Sequence, residues 1–210
     1  MAVPTLKYFA FPGRGLPPRV ALFAAFGKDG WKDEHIAYED FKGNKADTAI
    51  YPLGQMPVLV LPSGESVTQN GPIARWAAKQ GGLYPDDALG GLAVEEVMDV
   101  VNDVLAKTPQ DKDPETKKRM REEYAAKGGF LHTTMSFLER KVVAKGGPFL
   151  LGPQLTVADI SVHMLVKMIA DGDFDHVPAA YVDGFPAVKA AGAAVAGSAL
   201  LRSYREQYAM

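Results

Sequence analysis

Four short stretches near the start of the chain carry side chains able to do chemistry. They are Tyr8, Arg14 within Pro-Gly-Arg-Gly (12–15), Gln55-Met56-Pro57, and Gln69-Asn70-Gly71. A phenol offers one O–H donor, and a guanidinium is a permanent cation with a fork of donors. Free backbone N–H groups and the positive dipole end at a helix start suit an anion, which is the chemistry available at Gln69-Asn70. A proline ahead of an apolar strand either begins the strand in trans or makes a tight cis turn. Each stretch also has an ordinary reading: a buried strand tyrosine, a surface arginine, a trans proline, a plain helix cap. Their order and spacing, not any one of them, set these stretches apart.

Other constellations fail on inspection. Gly13-Arg14-Gly15 invites a dinucleotide reading, but the third glycine of that fingerprint would fall at Pro18. The run from Asp171 to His176 begins like a calcium loop, yet its sixth position is His176 where glycine is needed, and its twelfth is Val182 where glutamate is needed. It reads as a solvated acidic loop. Lys117, Lys118, Arg119 and Arg121 stand among Glu115, Glu122 and Glu123 and read as an exposed helix face with i,i+4 pairs. His35, His132, His163 and His176 show no metal-ligand spacing, so no metal is expected. There is no Gly-x-Ser-x-Gly elbow and no phosphate loop.

The elements that must position the four stretches change character along the chain. TLKYFAF (5–11) alternates and reads as a strand, followed by the glycine turn and a helix with Val20, Phe23, Ala24 and Phe26 or its neighbours inward and Gly27 as its stop. HIAYE (35–39) is a short strand candidate. PVLVL (57–61) and SVTQ (66–69) read as a hairpin around PSGE (62–65), and IARWAAKQ (73–80) as a helix ending at Gly81-Gly82. The order β-α-β, an irregular segment, then β-β-α makes one sheet with helices against it.

A glycine-rich stretch (81–91) then reads as a linker, and helical spacing takes over. Val94, Val97, Met98, Val101 and Val104 or Leu105 form an apolar stripe. Asp113-Pro114 starts a second long helix carrying Met120, Tyr124, Leu131, Met135 and Leu138, with its stop near Gly146-Gly147. Thr156 and Asp159 form a capping-box variant before the apolar run Ile160–Ile169, and shorter helical pieces follow around 186–196 and 199–208. The expected organisation is 1–82 as an α/β domain, 83–91 as linker and 92–210 as an all-helical domain.

Composition narrows the chemistry. The 210 residues are 47% hydrophobic and 23% charged, with a net charge of -2 and no cysteine. That leaves enough apolar surface for a core and excludes a disordered chain and a strongly basic nucleic-acid binder. The absence of cysteine excludes disulfides, thiolate zinc sites, Fe–S clusters and a cysteine nucleophile. No secretory signal is visible, and the small-residue stretch 190–201 is too short for a span that needs about 20 apolar residues. A soluble, cytoplasmic protein that does not bind membranes is expected.

The segments YFAFPGRG (8–15), GQMPVLVL (54–61), TQNGPIARW (68–76) and LTVADI (155–160), in this order and spacing, resemble cytosolic glutathione transferases. The resemblance covers nearly the whole chain and is greatest to the tyrosine-dependent classes, sigma above all. It implies a thioredoxin-like α/β N-terminal domain followed by an all-α C-terminal domain. It implies glutathione as co-substrate, Tyr8 as the hydrogen-bond donor to its thiolate, and Arg14 as support for both. Gln55, Met56 and a cis Pro57 would hold the cysteinyl part by main-chain pairing, and Gln69 and Asn70 the γ-glutamyl carboxylate, with Asn70 where the family usually has serine.

On the longer loop 39–54, Phe41 and Lys45 match by spacing the family's tryptophan and lysine. Asp103 matches an acidic residue that reaches glutathione across a homodimer interface, and Thr156 and Asp159 match a folding-related cap. Phe9 and Phe11 are expected to line an electrophile pocket between the domains. The implied reaction is conjugation of glutathione to hydrophobic electrophiles. The alternatives are a glutathione-dependent isomerase, as in sigma-class prostaglandin D synthases, and a weakly catalytic ligand-binding or structural protein, as in lens crystallins.

Overall fold

A computed structural model describes residues 2–208. The chain divides into two compact units. One is Asp87–Ser198; the other holds the residues up to Asp86 together with those from Ala199 onward. Residues 1, 209 and 210, which include the outer ends of both expected domains, lie outside the described residues.

The first unit is built on four short strands, β1 (Thr5–Tyr8), β2 (Lys32–His35), β3 (Val58–Val60) and β4 (Ser66–Thr68), in the order β2-β1-β3-β4. β1 runs parallel to β2 and antiparallel to β3, and β3 runs antiparallel to β4. Helices α1 (Leu16–Phe26), α2 (Tyr38–Asn44) and α3 (Asn70–Gln80) complete the α/β layer, with α1 and α3 packed on each other. Leu6, Val58, Leu59, Val20, Ile73 and Ala77 are its buried core. This is the small mixed sheet with flanking helices expected of a thioredoxin-like domain.

Three local expectations are corrected here. β1 ends at Tyr8 instead of continuing to Phe11, because the carbonyls of Phe9 and Phe11 turn inward to the Arg19 side chain. The second strand is Lys32–His35, not 35–39, and Tyr38 opens α2. An edge strand is held by its backbone ladder, here Thr5–Lys32 to Tyr8–His35, so its charged sequence hides it from a search for alternating apolar residues. α3 begins at Asn70, three residues before the apolar run.

Asp87–Ser198 is entirely helical apart from connecting segments: α4 (Ala88–Lys107), α5 (Pro114–Ala125), α6 (Phe130–Lys145), α7 (Val157–Ala170) and α8 (Pro186–Ala196). A final helix, α9 (Ala199–Tyr208), belongs to the first unit, where Tyr204 and Tyr208 lie edge-on to Phe23 of α1. The α4 stripe Val94, Val97, Met98, Val101 and Val104 is buried as expected. α7 packs against α4 and α8 and is buried on nearly every face, the pattern of a helix at the centre of a bundle.

The single long helix expected from Pro114 to Lys145 is two. Gly128 has φ +89°, and a Cβ on Gly129 would lie 2.4 Å from the carbonyls of Glu123 and Tyr124. Only a side-chain-free residue fits that close approach. The basic run on α5 is also only partly a solvated face. Arg119 pairs with Glu123 in the i,i+4 manner, but Arg121 is buried, donating to the Pro109 carbonyl, and Lys117 reaches Asp175 in the acidic loop.

Asp159 fixes the start of α7. One carboxylate oxygen accepts from the Leu150 N–H at 2.6 Å; the other accepts from the Thr156 N–H at 2.8 Å and its hydroxyl at 2.7 Å. Burial holds this carboxyl above its ordinary range against the opposite pull of those donors. Asp159→Ala leaves three donors without their acceptor and is expected to lower stability by about 1–3 kcal/mol. A lower urea midpoint at unchanged slope measures this; an unchanged midpoint removes the role.

Candidate functional site

The strand register brings the separate motifs together. The β1–β3 ladder ends at the Lys7–Val58 pair and the β3–β4 ladder at Val58–Thr68, so Tyr8 follows the first, Pro57 precedes both and Gln69 follows the second. Tyr8, the Met56–Pro57 bond and Gln69 therefore share one end of the sheet, where α3 also begins. The Met56–Pro57 bond is cis. The ladders of β3 start at Val58, so the main-chain groups of Met56 lie beyond the sheet's own pairing.

Tyr8 is 5% exposed. Its oxygen accepts a hydrogen bond from the Arg14 backbone N–H at 3.1 Å, which leaves the phenol O–H to donate. Burial pushes the phenol's pKa up, and the Arg14 amide and the charges of Arg14 and Arg19 oppose it. The raised pKa keeps the phenol protonated where a thiol begins to ionise, so it acts there as a donor and not a base.

The glycines that suggested a nucleotide loop serve this ring instead. A Cβ on Gly15 would sit 2.3 Å from the Tyr8 ring, and one on Gly13 2.9 Å from its oxygen. They let the turn Gly13–Gly15 close over the tyrosine and bring the Arg14 amide to it.

Phe9 and Phe11 stack with centroids 5.3 Å apart, and each meets the Tyr8 ring edge-on. Phe41 stands edge-on to Phe9 at 5.6 Å and to Tyr51 at 5.1 Å, so it belongs to this aromatic group through α2. Phe11 is 56% exposed and Tyr38 64%, leaving an open apolar face beside the buried phenol. The arrangement suits a flat or apolar partner next to a hydrogen-bond donor.

The polar part of the site lies at the other side of the row. Gln69 Nε2 is 3.5 Å from Gln55 Oε1, a long contact that joins the two motifs. Gln69 caps α3 with φ +74° and ψ +129° and no side-chain capping bond; Asn70 occupies the first helical position, so the cap is Gln69 and not Asn70. A non-glycine residue held there costs about 1–3 kcal/mol, and such costs concentrate at ligand-binding positions. Lys45 ends α2 with its carbonyl 3.0 Å from where a Gly54 Cβ would be, which places it beside the start of the Gln55-Met56-Pro57 stretch.

Asp103 lies on α4 in the second unit, 54% exposed and paired with Lys107 at 2.7 Å. Among the described residues no group of three or more His, Asp or Glu side chains is placed to hold a metal ion. No helix among them is long and apolar enough to cross a membrane.

Arg19 and Asp33 were not legible as site residues. Arg19 is wholly buried beneath the tyrosine turn and pairs with Asp33 at 2.8 Å. The available signal was positional: Leu16, Arg19, Val20 and Phe23 make an i, i+3, i+4, i+7 set, which puts an arginine on the inward stripe of α1.

Residues 98–207 match the family profile described as "Glutathione S-transferase, C-terminal domain". "Glutathione S-transferase 2" of Manduca sexta is 29% identical over 104 residues, 50% of this chain and 49% of that protein, so the match spans about half the length of that relative. "S-crystallin 2" of Enteroctopus dofleini is 26% identical over 180 residues, 78% of this chain and 79% of that protein. Among solved structures, the prostaglandin synthase D of Nilaparvata lugens superposes with a TM-score of 0.82 at 24% identity, covering 98% of each chain. A likeness at that identity speaks for the fold.

Gly15→Ala drives a methyl into the Tyr8 ring. It is expected to destabilise the protein by about 1–3 kcal/mol through overpacking. Thermal unfolding checks this, and a wild-type melting temperature contradicts the packing described.

Proposed function

We propose that this chain, which belongs to the glutathione S-transferase family, binds glutathione at the shared sheet end and conjugates it to hydrophobic electrophiles. The observation that carries the reading is the buried Tyr8 phenol. It accepts from the Arg14 amide, keeps its own O–H free to donate, and shares a row with the cis Met56–Pro57 bond and the start of α3.

Glutathione supplies the thiol this cysteine-free chain lacks. The residues present suit it in three places. The main-chain groups of Met56, outside the sheet ladders, fit an extended peptide by strand-like pairing. The start of α3 at Gln69 and Asn70, with Gln55 beside it, fits the γ-glutamyl carboxylate. Phe41 of α2 and Lys45 at its C-terminal cap complete the binding set.

Tyr8 donates a hydrogen bond to the thiolate form, and the positive charge of Arg14 favours the same form. An unassisted thiol titrates near about 8.5; lowering this by about two units takes about 2.7 kcal/mol, within reach of one aimed donor and a nearby cation. Phe9 and Phe11 hold the electrophile beside the sulfur, adding proximity to activation. The chain acts as a cytoplasmic homodimer in this reading, with Asp103 reaching the glutathione of the partner subunit.

The intact Tyr8–Arg14 pair favours an enzyme over a purely structural role of the crystallin kind. Conjugation and isomerisation use the same activated thiol, so a product screen against a prostaglandin endoperoxide separates them.

Retention on immobilised glutathione and turnover of a chloronitrobenzene test the reading. Tyr8→Phe is expected to move the acid limb of the rate profile upward by about two pH units, toward the free thiol. Because the phenol's own pKa is raised, the wild-type rate should hold level through about pH 9. An unchanged acid limb in the variant, with the fold intact, removes the assigned role of Tyr8. Asp103→Ala should raise the KM for glutathione if the protein sediments as a dimer; a monomer at assay concentration excludes the cross-subunit contact.

A further inference from the structure

We propose that Arg19 is a positioning residue for Tyr8 and that Asp33 anchors it, so that this buried pair sets the alignment of the phenol with the bound thiol. The inference deepens the function proposed above and rests on the Tyr8 role stated there.

Every nitrogen of the Arg19 side chain is committed. Nε donates to Asp33 Oδ2 at 2.8 Å, Nη1 to the Phe11 carbonyl at 2.9 Å, and Nη2 to the Phe9 carbonyl at 2.6 Å. The guanidinium carbon lies 5.5 Å from the centroid of the Tyr8 ring. One planar cation therefore grips both ends of the Phe9–Phe11 arch and lies against the tyrosine that opens it. A Cβ on Gly15 would also come within 3.0 Å of Nη1, so the turn carrying the Arg14 amide closes directly on the same group. Tyr8, its amide partner and the two aromatic rings are all held from one point.

The pair is a poor choice if stability were its only purpose. Side-chain exposure is 0% for Arg19 and 5% for Asp33, and Asp33 Oδ1 is buried with no hydrogen-bond partner among the described residues. Two charges taken out of water with an acceptor left unmatched give little or no net stabilisation against an apolar pair of similar volume. What an apolar pair cannot supply is direction: three N–H vectors in one plane, aimed at two carbonyls and a carboxylate.

The charged and titratable groups facing this arrangement come from several elements. Arg14 lies on the turn, His35 Nε2 on β2 is 3.1 Å from Asp33 Oδ2, and Tyr204 on α9 senses both Arg19 and Asp33. Tyr208 on the same helix senses Asp33 as well. The fork that spans the Phe9 and Phe11 carbonyls is that of Arg19.

The test compares the wild type with Arg19→Lys, Asp33→Asn and Tyr8→Phe. The bound thiolate is titrated by its ultraviolet absorbance, with kcat and KM for glutathione measured alongside, and circular dichroism reports the fold. Lysine keeps the charge but not the fork. The expected result for Arg19→Lys is a bound thiol titrating about one unit higher and a kcat about fivefold lower at about pH 6.5, recovering at higher pH. The KM for glutathione should stay within about twofold, because the Met56 and Gln69 contacts are untouched. Asp33→Asn should move the titration in the same direction by less.

A folded Arg19→Lys protein with an unchanged thiol titration overturns the proposal if Tyr8→Phe still shifts it. If Tyr8→Phe leaves the titration unchanged as well, the reading of Tyr8 itself fails. A shift that appears only with a large rise in KM for glutathione points to general distortion and also overturns it. Loss of fold in both Arg19→Lys and Asp33→Asn does the same, since the pair is then structural.

Discussion

A guanidinium with no access to water must be given a counter-charge and an acceptor for each of its nitrogens, and that requirement organises the first unit. Meeting it takes the Asp33 carboxylate from β2 and two carbonyls from the segment after β1. The carbonyls of Phe9 and Phe11 can face Arg19 only if the chain leaves the sheet after Tyr8. The same demand that ends β1 thus builds the arch on which Phe9 and Phe11 stack and the turn that returns the Arg14 amide to the phenol. The cost is considerable, because an ion pair of this burial loses more solvation than a surface pair and gains back only through good geometry.

The second organising feature is the register of the sheet. A parallel β1–β2 pair beside an antiparallel β1–β3–β4 set brings the end of β1, the start of β3 and the end of β4 to one edge. Two helix starts, those of α1 and α3, fall at that edge too. A phenol, an unpaired stretch of main chain and a helix N-terminus are unrelated in sequence, separated by tens of residues, and become neighbours because the ladders end together. A one-residue slip of β3 would turn its buried side chains to the opposite face, so the same register that fixes the core fixes the site.

Much of this was legible in the residues. Helical period in α4 and α7, the Asp113-Pro114 start, the Thr156–Asp159 box and the hairpin of β3 and β4 each depend on contacts within a few residues of one another, and local contacts leave local patterns. The elements misread are those decided elsewhere. β2 is charged because it is an edge strand. The break between α5 and α6 turns on how closely Gly129 must approach the preceding carbonyls. Arg121 resembled a surface cation because its partners, the carbonyls of Pro109 and Asp175, lie 12 and 54 residues away. Gly13 and Gly15 were visible as a turn, but their purpose, room for the Tyr8 ring, was not.

The sequence by itself determined the fold class, the change from α/β to all-helical structure, the absence of a thiol of the protein's own, and the resemblance that singled out Tyr8, Arg14, Pro57 and Gln69. Those follow from composition, short-range periodicity and the spacing of motifs. The tertiary structure alone decided that Met56–Pro57 is cis, that Gln69 and not Asn70 caps α3, and that Phe41 joins the aromatic group around Phe9. It also decided that an arginine and an aspartate fourteen residues apart would be buried together beneath the tyrosine. The reason is physical: a side chain's period along the chain says which face it occupies, but its charge is satisfied by whatever the fold brings opposite. That partner is fixed only when the strands have paired and the turn has closed.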